Sequence, residues 1–176
     1  MIAASKAFRG WRLSHMRAGA RAEEKVGEAI EYALTRTGCA VAHGVTSIAS
    51  EGDIDHLVAT PARLWVVETK SGRLPKKAFA TALRRVARNV EGVRKWAPGS
   101  DVRGALVFAG TEPVKARASY GSRSETIRCF GDRESLMREL RRETEEEQSG
   151  NADLVRSVWE LSSRISAATV PFNPDT

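Results

Sequence analysis

The residues best suited to chemistry in this 176-residue chain lie in two short segments, GDIDHLVA (52–59) and LWVVETK (64–70). Asp53 and Asp55 alternate in the first segment, and Glu68 and Lys70 alternate in the second. Because successive side chains of a strand point to opposite faces, each pair shares one face. If the turn at 60–63 closes a hairpin, Asp55 faces Glu68 across the two strands and Lys70 lies beside Asp53.

Two carboxylates opposite each other repel, and burying either one costs desolvation energy. The pair therefore needs a compensating cation. Lys70 is one candidate in the sequence, and a bound divalent metal ion is the other. The alternative is an ion-pair network at the open end of the hairpin, in which Lys70 neutralises Asp53 or Glu68. Matched acids on two strands beside a buried run favour a functional site.

A third acid comes from the first predicted helix. Its apolar stripe includes Val26, Ile30 and Ala33, and helical periodicity places Glu23 on the same inward side. Glu23 is therefore expected to reach the strand carboxylates. The other interpretation, compatible with the first, is that an acid in the first helical turn is favoured by the helix dipole.

The elements that must position these residues follow from periodicity and turn signals. Helices are predicted over 20–37, ending at Gly38, and over 76–97, 132–142 and 151–166, with Asp132 and Asn151 as caps. Strands are predicted over 40–48, 53–59, 64–70, 102–109 and 126–130, and residues 143–150 are expected to form a solvated linker. This order predicts an α/β fold with a mixed central sheet between helices.

The long helix predicted at 76–97 also presents a basic face opposite its apolar stripe. Arginine and lysine at this density can follow phosphates without reading sequence, although a solvated helix face is the plainer interpretation. The candidate nucleic-acid-binding residues are Lys77, Arg84, Arg85, Arg88 and Lys95.

Composition limits the classes of protein and of partner. The formal net charge of +6 suits a polyanionic partner such as nucleic acid. The apolar runs are too short to span a bilayer, and the amino-terminal residues lack the apolar core of a signal peptide, so no membrane partner is expected. Two cysteines without CxxC spacing argue against a disulfide scaffold and a zinc site, which makes a reduced cytoplasmic protein the expectation. His15, His43 and His56 are expected to be structural.

Three segments together resemble the nuclease-related domain family of the PD-(D/E)xK nuclease superfamily. They are GARAEEKV (19–26), GDIDHLV (52–58) and WVVETKSG (65–72), and the resemblance closes with RGALVFAG (103–110). It implies a restriction-endonuclease-like core, αβββαβ, over residues 19–142. Residues 1–18 are then a basic extension, and residues 143–176 a linker, C-terminal helix and tail. The chain departs from the family's pattern at Ala22, where a glycine is usual, and at Arg85, where a glutamine is common, with Asn89 one turn later.

The resemblance implies a metal-dependent nuclease that hydrolyses DNA, and it leaves RNA or branched nucleic acid open as substrates. Low sequence specificity is expected because the sequence contains no recognisable reader domain. The implied catalytic residues are Asp55, Glu68, Lys70 and Glu23. The implied ligands of Mg²⁺, or of Mn²⁺ in its place, are the carboxylates of Asp55, Glu68 and Glu23 and the backbone carbonyl of Thr69. Asp53 and Asn89 are expected to support this set. A homodimer is favoured if both DNA strands are cut. The alternative function is a non-catalytic nucleic-acid-binding or assembly module that retains the fold.

Overall fold

The structure is a computed structural model that describes residues 2–34, 39–109, 127–146 and 152–168. Four helices and five strands are present in these ranges. In chain order they are α1 (Ile2–Leu34), β1 (Ala40–Val45), β2 (Ile54–Ala59), β3 (Leu64–Lys70), α2 (Lys76–Trp96), β4 (Val102–Phe108), β5 (Ile127–Phe130), α3 (Arg133–Glu146) and α4 (Ala152–Ala168). None of the described helices is both long enough and apolar enough to cross a membrane.

The five strands form one mixed sheet in the order β1-β2-β3-β4-β5. The strands β1, β2 and β3 pair antiparallel, whereas β3, β4 and β5 pair parallel, with α2 crossing between β3 and β4. The hairpin of β2 and β3 has the predicted register, because Ala59 opposes Leu64 and Leu57 opposes Val66. The predicted α/β class with a mixed central sheet is confirmed, and it is consistent with a restriction-endonuclease-like core.

Helices cover both faces of the sheet. On one face, α2 and α4 bury a cluster that includes Leu83, Val86 and Val158. On the other face, α1 and α3 bury a second cluster around Trp65. Strand β4 contributes to both clusters, as its nearly continuous apolar sequence predicts. Gly104 allows α2 to approach β4 closely, since a Cβ atom there would lie 2.5 Å from Val86 Cγ1.

Two predicted boundaries at the start of the chain are wrong. Helix α1 begins at Ile2 rather than near residue 20, because no proline interrupts the preceding segment. It runs through residue 18 without a break, and the domain boundary placed there stays a prediction. Strand β1 ends at Val45 rather than Ile48, because the Ala49 N–H donates to the Thr46 carbonyl and turns the chain. The predicted helix end at Gly38 lies outside the described residues.

The third helix also differs from its prediction at one end. Its predicted cap is confirmed, since the Ser135 N–H donates to Asp132 Oδ1 at 2.7 Å. However, α3 continues to Glu146, and Glu143 is buried rather than part of a solvated linker. The reason is that Glu143 has tertiary partners in Trp65, Thr60 and Arg63. Asn151, the predicted cap of α4, lies outside the described residues.

Candidate active site

Asp55 and Glu68 lie side by side at one end of the β2–β3 hairpin. The paired residues of the ladder end at His56 and Val67, and one further step places Asp55 opposite Glu68, as the sequence predicts. Both side chains are buried, with relative exposures of 8% and 2%. Asp55 Oδ2 accepts a hydrogen bond from the Thr69 backbone N–H at 2.6 Å, which ties the first carboxylate to the second strand.

Two cations neutralise Glu68. Lys70 Nζ donates to Glu68 Oε1 at 2.5 Å, and Arg85 Nη1 lies 3.3 Å from the same oxygen. Arg85 Nη2 also contacts Asp53, at 2.6 Å from Oδ1 and 2.8 Å from the backbone carbonyl. The partner of Asp53 is therefore Arg85. The ion-pair alternative is right in placing Lys70 against Glu68, two residues away on its own strand, and wrong in placing Lys70 against Asp53.

Glu23 reaches the same site from α1. It is half-buried and lines a pocket of about 360 Å³ together with Asp53 and Asp55. Burial raises the pKa of Glu23, whereas the charge of Lys70 lowers it, so this carboxylate lies within the field of the hairpin residues. The inward orientation predicted for Glu23 is confirmed.

The surroundings of the two buried strand acids disfavour the charged form of Asp55. Burial and, next, the charge of Glu68 raise the pKa of Asp55 well above that of a free aspartate. The Thr69 N–H and the charge of Lys70 act in the opposite direction and are weaker. A buried carboxylate perturbed by burial and a like charge, beside a pocket, is typical of a functional site.

The predicted basic residues of α2 divide into two groups. Arg85 is drawn into the carboxylate site, away from the exposed face on which it was predicted. The other four remain exposed. Arg84 donates to Thr81 Oγ1, Arg88 pairs with Glu51 at 2.8 Å, and Lys95 lies near the far end of the helix. Lys77 lies on the rim of a pocket of about 500 Å³ that Glu68, Lys70 and Arg85 also line.

The comparisons with known proteins agree with this geometry. The model of a family described as NERD, nuclease-related domain, matches residues 18–109, just over half of the chain. The chain belongs to the nuclease-related domain family. The matched range contains Glu23, Asp55, Glu68 and Lys70, and membership indicates a nuclease-related function with nucleic acid as the substrate. Neither the search of curated proteins nor that of solved structures found a match.

In this member of the nuclease-related domain family, the acids fit a hard divalent cation by donor type and by charge. Carboxylate oxygens are the ligands that Mg²⁺ and Mn²⁺ prefer, and burial together with the charge of Glu68 raises the pKa of Asp55. Within the described ranges, however, no three His, Cys, Asp or Glu side chains are arranged to hold a metal ion. Glu68 Oε1 instead contacts Lys70 and Arg85. A metal bound to Glu68 would therefore lie beside two positive charges.

Asn89 supports the site by fixing the loop before β2. Its side chain is buried in α2, and its Oδ1 accepts hydrogen bonds from the backbone N–H groups of Ser50 and Glu51, each at 3.0 Å. Its Nδ2 donates to the carbonyls of Glu51 and Asp53. The sequence offers a signal for this role, since an asparagine within the apolar stripe of a helix needs a buried polar partner.

A second polar cluster lies behind Asp55. His56 and His43 face each other with 2.7 Å between their Nδ1 atoms, and His43 Nε2 lies 3.0 Å from Glu31 Oε1. Gly27 of α1 packs against both rings. His56 is buried, so the prediction that it is structural agrees with its surroundings.

This histidine pair predicts a specific loss of stability in acid. Burial, and then the charge of His43, lower the pKa of His56 from 6.5 to about 3. An unfolded chain would bind this proton below pH 6.5 while the folded chain does not, so stability falls as the pH drops from 6.5 towards 3. We expect His56 to account for about 1.4 kcal/mol per pH unit in that window. Urea unfolding of wild type and His56→Gln at pH 7, 6 and 5 measures it, and equal pH slopes in the two proteins would contradict it.

Proposed function

We propose that this chain is a metal-dependent nuclease that hydrolyses phosphodiester bonds in DNA with low sequence specificity. The observation that supports this most is the burial of Asp55 and Glu68 at opposed positions of one hairpin, with Lys70 at the same edge. A purely structural ion pair does not need a second buried carboxylate that raises the pKa of the first.

The carboxylates of Asp55 and Glu68 would hold Mg²⁺, or Mn²⁺ in its place, assisted by Glu23 and the backbone carbonyl of Thr69. Such a cation supplies polarisation of the scissile phosphate and lowers the pKa of a bound water. Asp55 is positioned for this role by the Thr69 N–H, which fixes Oδ2 and leaves Oδ1 for a further partner. Asn89 and Asp53 fix the loop that precedes β2, so β2 presents Asp55 from a fixed backbone.

Lys70 acts on the attacking water and on the phosphate. Its Nζ lies at the edge of the pocket that Glu68 and Lys77 also line, where a phosphate can approach. As an ammonium it donates hydrogen bonds that orient the water and offset the negative charge that develops on the phosphate. Its contact with Glu68 Oε1 holds it there before substrate arrives.

The exposed cations of α2 are the proposed contact with the DNA backbone. Lys77, Arg84, Arg88 and Lys95 point away from the core on the helix that also supplies Arg85. Contacts of this kind bind phosphates without reading base sequence, which is why we propose low sequence specificity.

Removing three of these charges should weaken DNA binding and its salt dependence. We expect the triple variant Lys77→Ala, Arg84→Ala, Lys95→Ala to lose affinity for all duplex sequences and to lower the slope of log K against log salt by up to about three. The matched control removes Lys25, Arg138 and Arg141 from the α1–α3 side of the sheet, where they line another pocket. Fluorescence anisotropy at several salt concentrations measures both variants, and equal slopes for the two would contradict the proposal.

The experiment that tests the proposed function uses supercoiled plasmid with Mg²⁺ or Mn²⁺, and with EDTA. Nicking or linearisation that EDTA abolishes supports it, and absence of cleavage with either metal contradicts it. Parallel reactions with single-stranded RNA and a four-way DNA junction determine whether duplex DNA is the preferred substrate. The order of cleavage with respect to protein concentration determines whether two copies act together.

A binding module that retains the fold is the second candidate. One observation favours it: Glu68 already has two cationic partners, and no three-ligand cluster is arranged within the described residues. Salt-sensitive DNA binding without cleavage in any metal would select this candidate.

A further inference from the structure

We infer that Arg85 is a resident counter-ion of the carboxylate site, which competes with a divalent cation for Glu68. The inference rests on the proposed function, because it concerns the same carboxylates. It assigns Arg85 the role of a positioning residue that sets the affinity of the site for metal.

Arg85 connects two acids from different parts of the site. Its Nη1 atom lies 3.3 Å from Glu68 Oε1 on β3, and its Nη2 atom lies 2.6 Å from Asp53 Oδ1 before β2. The side chain is 28% exposed, so water screens these contacts less than those of a surface pair. One guanidinium therefore neutralises carboxylates that the fold brings together from two strands.

The backbone of the neighbouring loop is shaped to accept this guanidinium. Gly52 has φ of +69°, a conformation that other residues rarely adopt. A Cβ atom at Gly52 would lie 3.2 Å from Arg85 Nη2, so the guanidinium packs directly against the loop. Asn89, one helical turn after Arg85, fixes the same loop through Ser50 and Glu51. Several residues of the loop and of α2 thus form the surface against which the Arg85 guanidinium packs.

The hold on Arg85 nevertheless depends on its acidic partners. Its Nε atom is buried and has no hydrogen-bond partner, so the guanidinium does not make all the hydrogen bonds of which it is capable. The pocket of about 500 Å³ alongside it, lined also by Lys77, gives the long side chain room to move. Withdrawal of Glu68 would remove one of the two acidic partners that hold the guanidinium.

The charges of the site favour exchange for a divalent cation. Among the residues that the structure describes, four acids interact here with two cations: Glu23, Asp53, Asp55 and Glu68 against Lys70 and Arg85. Replacing the guanidinium at Glu68, which carries one positive charge, by a divalent cation reduces the excess of negative charge. Because Arg85 places its positive charge 3.3 Å from Glu68 Oε1, its presence must weaken the binding of a divalent cation to Glu68. Once released, the guanidinium borders the pocket in which we place the substrate phosphate.

The test measures Mn²⁺ binding to the full chain by isothermal titration calorimetry for wild type, Arg85→Gln and Arg84→Gln. Arg84 is the matched control, because it is the adjacent arginine of α2 and is exposed. We expect Arg85→Gln to bind Mn²⁺ about tenfold more tightly than wild type, and Arg84→Gln to leave Kd unchanged. We also expect the Tm of Arg85→Gln in EDTA to be lower than that of wild type, and the addition of Mn²⁺ to restore it.

Two results would overturn the inference, and they are distinguishable. If wild type binds Mn²⁺ and Arg85→Gln binds it equally or more weakly, Arg85 does not compete with metal, while the proposed function stands. If neither protein binds Mn²⁺, the metal-dependent function fails together with the inference. Should Arg85→Gln not fold, Arg85→Lys decides, since a lysine keeps the charge but cannot bridge both acids, and it is expected to bind Mn²⁺ more tightly than wild type.

Discussion

Glu68→Gln and Asp55→Asn are each expected to lower the rate of metal-dependent DNA cleavage by on the order of 10³-fold. Both substitutions preserve side-chain shape and remove the charge that would hold the cation. Neither carboxylate can be replaced by a neighbour, because Asp55 is fixed by the Thr69 N–H and Glu68 lies beside Lys70 on the adjacent strand. Single-turnover cleavage of a labelled duplex measures the loss.

Controls separate this loss from a loss of folding. Glu160→Gln removes one acid from the exposed face of α4 and should leave the rate unchanged. Wild type should gain thermal stability when Mn²⁺ is added, because a ligand that binds only the folded state stabilises it, and both carboxylate variants should lose this gain. In EDTA, Asp55→Asn should be no less stable than wild type, since burial raises the pKa of this acid. Cleavage by either variant within tenfold of the wild-type rate would contradict the assignment.

Glu143→Ala is expected to destabilise the fold by about 3 kcal/mol or more, the cost typical of breaking a buried ion pair. Glu143 is 3% exposed, and its Oε2 accepts a hydrogen bond from Trp65 Nε1 at 2.8 Å. Thr60 Oγ1 donates to the same oxygen, and Arg63 Nε lies 3.1 Å from Oε1. The alanine variant would leave buried donors of the β2–β3 turn and of the core tryptophan without an acceptor.

The measurement for this prediction is urea unfolding at pH 7. Glu145→Ala, an exposed position two residues later on α3, is the matched control and should change stability by less than about 0.5 kcal/mol. Glu143→Gln keeps an acceptor for Trp65 and should cost less than alanine. A cost below about 1 kcal/mol for Glu143→Ala would show that α3 does not depend on this contact.

The hairpin is the part of the site that the sequence specifies most fully. Alternation along β2 and β3, together with a turn of known length, determines which residues share a face and which oppose one another. That logic predicts the pairing of Leu57 with Val66 and the juxtaposition of Asp55 and Glu68. Helical periodicity likewise turns Glu23 inward, because its apolar neighbours on α1 define the buried side.

Contacts between distant elements could not be predicted in this way. Arg85 follows the basic pattern of α2, yet it turns into the site because Asp53 and Glu68 converge from two strands. Glu143 follows the acidic pattern of a linker, yet its carboxylate accepts a buried hydrogen bond from Trp65, 78 residues earlier. Periodicity describes one element at a time, whereas the partner of a charged side chain depends on how elements pack. Both errors therefore concern charged residues with tertiary partners.

The most direct test of the central claim is single-turnover cleavage of one labelled duplex by wild type and Lys70→Ala, at protein concentrations that saturate the DNA. Affinity is measured on the same duplex in EDTA. We predict equal binding, Mg²⁺-dependent cleavage by wild type, and a rate for Lys70→Ala lower by on the order of 10²-fold or more. Equal cleavage rates for the two proteins, or equal binding with no cleavage by wild type, would contradict a hydrolytic centre built on Asp55, Glu68 and Lys70.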